Sequence, residues 1–121
     1  MKQCLIVDDS RVIRKVARRI LEELHIGIDE AEDGQSALDL CRRKMPDAIL
    51  LDSSMPNMSG VEFLRALRRE PGGKKPLVVY CTIENDVSAV TEAIGAGANE
   101  YILKPYDKAA VEAKFTDAGL L

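Results

Sequence analysis

Short apolar runs alternate with stretches of helical periodicity along this chain, and that alternation constrains the fold more than any other feature. Cys4-Leu5-Ile6-Val7, Ile26 to Ala31, Ala48 to Leu51, Leu77 to Cys81 and Glu100 to Leu103 are brief, rich in β-branched or large apolar residues, and bounded by acids, glycine or proline. Such runs read as strands. Between them the spacing predicts helices over about Arg11 to Leu24, Gln35 to Lys44, from Ser59-Gly60 onward, Asp86 to Ala96 and Lys108 to Asp117. Strand and helix in strict turn imply a parallel sheet with helices on both faces. Right-handed crossovers make it a doubly wound α/β sheet. Ligands in such sheets bind beyond the carboxyl ends of the strands.

Local signals fill in this outline. Ser10 is placed to cap the first helix. Val12, Ile13, Val16, Ala17, Ile20, Leu21 and Leu24 are expected on its core face, with Arg11, Arg14, Lys15, Arg18 and Arg19 solvated opposite. Gly27 follows its end. Acids interrupt the second strand, so an edge position is expected. Pro46 ends the second helix. In the third helix Val61, Leu64 and Leu67 form the inner stripe with Phe63 beside it, and Arg65, Arg68 and Arg69 face water. Val87, Val90 and Ile94 are expected inward on the fourth helix, which Gly95-Ala96-Gly97 stops. Val111 and Phe115 are expected inward on the fifth.

A length of 121 residues, 46% of them hydrophobic, suits one domain over residues 1–121 with one core. The formal net charge of −3 argues against bulk nucleic-acid affinity. No apolar run reaches the roughly 20 residues of a membrane span, and the short run after Met1 does not read as a signal peptide. Cys4, Cys41 and Cys81 are widely spaced and form no metal-type pair, so buried reduced thiols and a cytoplasmic location are expected.

The chemistry gathers at the strand ends. Asp8 and Asp9 follow the first strand, Asp52 the third, Thr82 the fourth and Lys104 the fifth. Taken singly, each reads as a turn or surface residue. In a parallel sheet they share one rim. Carboxylates crowded together call for a raised pKa or a divalent cation. An all-oxygen set with few protein ligands suits Mg²⁺. A metal, an ammonium and a hydroxyl around one carboxylate form a receptacle for a phosphoryl group. No G-x-x-x-x-G-K-[ST] stretch supports a P-loop.

Leu5-Ile6-Val7-Asp8-Asp9-Ser10, Leu50-Leu51-Asp52-Ser53-Ser54-Met55-Pro56, Gly60, Thr82 and Tyr101-Ile102-Leu103-Lys104-Pro105, at these intervals, resemble the receiver domains of two-component response regulators, of the single-domain CheY-like type. The resemblance covers the whole chain. It implies a flavodoxin-like, five-stranded parallel sheet in the order 2-1-3-4-5 with five helices. It implies that Asp52 accepts a phosphoryl group from a histidine kinase or histidine phosphotransfer protein. Mg²⁺ would be held by Asp9, Asp52, the Ser54 backbone carbonyl and, through water, Asp8. Lys104 would pair with Asp52 at rest and with the phosphoryl group later, Thr82 would hydrogen-bond that group, and Lys104–Pro105 would be cis. Thr82 and Tyr101 would form the switch that reshapes the face of the fourth helix, fifth strand and fifth helix toward a downstream protein target. The protein would be a monomer or weak dimer and no enzyme beyond assisting its own phosphorylation and dephosphorylation.

Departures and alternatives accompany that reading. Ile83 stands where the family has a small residue, which bears on access to the pocket. Glu84 and Ser54 occupy positions flanking the path of attacking water. The basic face of the first helix is the candidate kinase-docking surface, and His25 reads as a helix-end residue. A binding module with vestigial phosphorylation is one alternative. An Mg²⁺-dependent aspartyl-nucleophile phosphohydrolase is another, although haloacid-dehalogenase-type enzymes carry a second acid where this chain has Ser54.

Overall fold

The computed structural model describes residues 1–83 and 87–121. Its elements run β1 (Gln3–Val7), α1 (Arg11–Glu23), β2 (Gly27–Ala31), α2 (Gly34–Arg43), β3 (Ala48–Asp52), α3 (Gly60–Arg69), β4 (Leu77–Thr82), α4 (Val87–Ala96), β5 (Glu100–Leu103) and α5 (Lys108–Asp117). Every strand pairing is parallel, and the sheet order is β2-β1-β3-β4-β5. β2, the strand broken by acids, lies at an edge as expected. From β1 the chain winds first outward to β2 and then back across to β3. The order therefore reverses at the carboxyl ends of β1 and β3, where a crevice must open.

Alternate residues of each strand feed opposite faces. Leu5, Val7, Ile49, Leu51, Val78 and Tyr80 pack with Leu38, Phe63, Leu64, Leu67 and Ala93 under α2, α3 and α4. Cys4, Ile6, Leu50, Val79, Cys81 and Ile102 pack with Ala17, Ile20, Leu21, Val111 and Phe115 under α1 and α5. Two covered faces explain why the strands read as unbroken apolar runs. All three cysteines are free and buried. Burial pushes the Cys4 thiol up to about 12 and the Cys41 thiol up to about 11, so neither is a thiolate near neutral pH. Among the described residues no helix is long and apolar enough to cross a membrane.

Ser10, Asp33, Ser59 and Asp107 cap their helices through side-chain oxygens, and Ser59 with Glu62 completes a capping box. The left-handed turn after α1 is made by the exposed His25, at φ 59°, and Gly27 instead opens β2. The Lys104–Pro105 peptide is cis.

Three expectations about faces need correction. On α1, Val12 and Val16 are 69% and 44% exposed. At 3.6 residues per turn they lie roughly 130° and 90° from the centre of the stripe formed by Ala17, Ile20 and Leu21, too far round to reach the sheet. On α4, Val87 and Ile94 are also exposed, and the helix meets the core through Ala93 and Ala96 instead. Asp86, the expected start of that helix, lies outside the described residues.

The third correction concerns Arg68, which is half-buried rather than solvated. Its guanidinium donates to the carbonyls of Gly97 (2.6 Å), Gly73 (2.8 Å) and Pro76 (2.9 Å) and to Asn99 Oδ1 (3.1 Å). Asn99 Oδ1 also accepts the Val78 N–H at 2.8 Å. One side chain thus ties the end of α3 to the loops entering β4 and β5. Arg68→Met should leave these carbonyls without donors and cost about 2 kcal/mol. Urea unfolding should show a lower midpoint with an unchanged slope.

Candidate functional site

Four of the five strands deliver residues at or just past their ends to the carboxyl rim. Asp52 ends β3, Thr82 ends β4, Asp8 and Asp9 follow β1, and Lys104 follows β5. Asp8, Asp52 and Thr82 are only 4%, 5% and 3% exposed, whereas Asp9 faces solvent. Lys104 Nζ donates to Asp52 Oδ1 at 2.7 Å and to Asp8 Oδ2 at 2.8 Å. The Lys104–Asp52 contact is the resting pair expected; the equally short bond to Asp8 was not anticipated. Lys104 is tied to the end of β4 by its own N–H, which donates to the Thr82 carbonyl at 2.9 Å.

The loop after β3 folds tightly over this rim. Ser53 N–H donates to Cys81 O, and Gly60 N–H donates to Ser53 O. A Cβ on Gly60 would lie 2.6 Å from the Asp52 carbonyl oxygen, so only glycine lets α3 start this close to the acid. Ser54 is exposed in that loop, and its backbone N–H reaches the Asp52 carboxylate. Ile83 is 78% exposed beside Thr82, so its side chain stands in solvent at the rim. Glu84 lies outside the described residues. Tyr101 is half-buried on β5 opposite Tyr80, with Lys114 Nζ 5.3 Å from its ring centroid.

Burial pushes the Asp52 carboxyl up; the hydrogen bond from Lys104 pulls it down and the neighbouring Asp8 charge pushes it up again, leaving it above the ordinary carboxylate value. Burial alone would lower the Lys104 ammonium, but the bonds and charges of Asp52 and Asp8 together outweigh it and leave Lys104 raised. Asp8 and Asp52 share the Lys104 ammonium, with the Asp9 carboxylate beside them. One oxygen from each of Asp8, Asp9 and Asp52 lies within 4.8 Å of the others. That span is close to the roughly 4.2 Å between opposite ligands of a Mg²⁺ ion. The donor set is hard, anionic and short of positive charge, and it fits a small divalent cation.

A family model described as the response regulator receiver domain matches residues 4–116. The chain belongs to this family. The receiver domain is 39% identical over 113 residues to Protein CcdB of Bacillus subtilis, covering 92% of each chain. It is 34% identical over 116 residues to Chemotaxis protein CheY of Halobacterium salinarum, covering 96% of this chain and 95% of that one. It also matches longer proteins: it spans 43% of Response regulator MprA of Mycolicibacterium vanbaalenii. Among solved structures, chemotaxis protein CheY4 of Vibrio cholerae superposes with a TM-score of 0.93 at 28% identity, over 98% of both chains. The receiver domain of a sensor histidine kinase from Pseudomonas aeruginosa PAO1, solved with magnesium coordinated in its active-site cleft, gives 0.88 at 25% identity over 98% of both. The flavodoxin-like strand order of the receiver fold is the order found here.

The sequence did not reveal what holds the acid pair. Arg14 and Arg18, expected in solvent, both reach Glu30 on β2. Arg14 also donates to the Asp8 carbonyl oxygen at 2.7 Å. An acid interrupting an edge strand, across from two arginines one helical turn apart, was the available signal.

Proposed function

We propose that this protein is a stand-alone receiver domain over residues 1–121 that takes a phosphoryl group onto Asp52 from a phosphohistidine and relays the change to a protein target. One observation carries the reading: a buried carboxylate at the sheet's reversal point, bonded to Lys104 and grouped with two further acids. The donor would be a histidine kinase or a histidine phosphotransfer protein. An Asp52 carboxylate oxygen attacks phosphorus, the new O–P bond forms as the N–P bond breaks, and the electron pair returns to the imidazole nitrogen. Lys104 then turns its ammonium to a phosphoryl oxygen, and the Thr82 hydroxyl donates to another. Asp9, Asp52 and the Ser54 carbonyl, with Asp8 through water, would hold Mg²⁺. Bound there, the ion would offset the negative charge of the three acids and of the phosphoryl oxygens.

The switch uses the same residues. As Thr82 moves toward the phosphoryl group, Tyr101 turns into the space it leaves, and the α4–β5–α5 face changes shape. Phosphorylation thereby shifts the balance between two states of one fold. For the donor, α1 offers the exposed Val12 and Val16 with Arg11, Lys15 and Arg19 around them. This is a mixed surface rather than the basic one expected, because Val12 and Val16 join the exposed face and Arg14 and Arg18 pair with Glu30. Ser54, where a haloacid-dehalogenase-type hydrolase would carry its acid, is an exposed serine and gives no support to that alternative. A cytoplasmic monomer or weak dimer fits the proposed role.

The test is intact mass after incubation with a phosphorylated histidine donor and Mg²⁺. Wild type should gain one phosphoryl group; Asp52→Asn should gain none. Equal gain in both proteins would remove Asp52 from the role.

A further inference from the structure

Asp8 is fixed at four points. Its N–H donates to the Ala31 carbonyl at 3.1 Å. Its two carboxylate oxygens accept from Ser10 N–H at 2.9 Å and from Lys104 Nζ at 2.8 Å. Its carbonyl oxygen accepts from Arg14 Nη1 at 2.7 Å. Asp9, by contrast, is exposed and shows no hydrogen bond or ion pair of its own among the described residues. Where the Asp9 carboxylate sits relative to Asp52 therefore depends on the backbone that carries it. The Asp8 carbonyl belongs to the peptide joining the two acids, and that peptide is planar. The bond from Arg14 pins the plane and with it the departure direction of Asp9.

Arg14 is itself held rigidly. Its Nε donates to Glu30 Oε1 at 3.2 Å, and the other oxygen of Glu30 lies 2.7 Å from Arg18 Nη2. The Arg14 side chain is only 16% exposed. A planar guanidinium bonded along two edges has little freedom to turn. The edge strand, the first helix and the acid loop are thus joined through one side chain.

We infer that Arg14, oriented by Glu30, is a positioning residue for cation binding: it sets the Asp8–Asp9 peptide so that Asp9 faces the same ion as Asp52. This rests on the metal-site reading proposed above. Residues that orient ligands from outside the coordination sphere are typically worth about 10–100-fold in metal affinity.

Charge alone predicts the opposite sign. Arg14→Met removes a cation near the acids, which by itself would tighten Mg²⁺ binding. Positioning predicts weaker binding. Mg²⁺ should be titrated by calorimetry into the unphosphorylated full chain, as wild type, Arg14→Met, Arg14→Lys and Glu30→Gln, with urea unfolding of each without metal. The expected result is a dissociation constant raised about tenfold or more in Arg14→Met, and less in Arg14→Lys, whose single ammonium keeps the charge but loses the fork. The phosphorylation rate of Arg14→Met should return toward wild type when Mg²⁺ is saturating. A dissociation constant equal to or below wild type in Arg14→Met would overturn the inference. Should that variant not fold, Glu30→Gln carries the test: weaker Mg²⁺ binding supports positioning, and unchanged binding overturns it. If wild type itself takes up no Mg²⁺, the metal-site reading falls first, and this inference with it.

Discussion

Lys104→Met should lower the stability of the metal-free protein at neutral pH by about 2–3 kcal/mol, and Mg²⁺ should restore much of the loss. The ammonium bonds Asp52 at 2.7 Å and Asp8 at 2.8 Å, and its side chain is only 13% exposed. Removing one partner of a buried ion pair typically costs about 3–5 kcal/mol, because the remaining charge is stranded. Here two carboxylates are stranded together, but the cleft opens to water at Asp9, which moderates the cost. Acid should also reduce the loss, since a protonated Asp52 no longer repels Asp8. Urea unfolding of wild type and Lys104→Met, with and without Mg²⁺ and at two pH values, checks this. A loss insensitive to both metal and pH would mean that Lys104 acts through packing alone.

Asp52→Asn should move stability the other way, by about 1 kcal/mol in the metal-free protein at neutral pH, while abolishing phosphoryl uptake. Sites held for function commonly give such gains when neutralised. The sign follows from linkage. Asp52 has a folded pKa above its unfolded one, chiefly through burial. Between the two values the folded state holds a proton that the unfolded chain has released. Wild-type stability therefore falls as pH rises through that interval. The advantage of Asn should be present at neutral pH and vanish below about pH 4, where an unfolded aspartate is protonated as well. Thermal unfolding of both proteins across the acid range, in chelator, measures it. An Asn variant less stable than wild type at neutral pH would contradict the electrostatic account.

Short runs such as Ala48 to Leu51, ended by an acid, announce strand and rim together because a sheet buried on both faces leaves no polar positions inside the strand. The rim residues Asp8, Asp9, Asp52, Thr82 and Lys104 were legible for the same reason: each follows an apolar run at once. Helix faces were harder to read. Val12 and Val16 lie too far round α1 to reach the sheet, and Val87 and Ile94 stay exposed on α4 while Ala93 is buried. Arginine roles were hidden for another reason. Arg14, Arg18 and Arg68 resemble solvated charges in sequence, but their partners lie 5 to 31 residues away and meet them only in the folded chain. Arg14 shows the limit most clearly, because its partner is a backbone carbonyl and no residue type marks that.

The most direct measurement traps the modified side chain itself. An aspartyl phosphate is an acyl phosphate, which borohydride reduces to homoserine, leaving ordinary carboxylates untouched. The protein should be phosphorylated from a histidine donor, reduced, digested and sequenced by mass spectrometry, with and without a chelator. Homoserine at position 52 alone, formed only when Mg²⁺ is available, is the expected result. Homoserine at Asp8 or Asp9, or equal conversion in chelator, would contradict a cation-dependent phosphoryl site centred on Asp52.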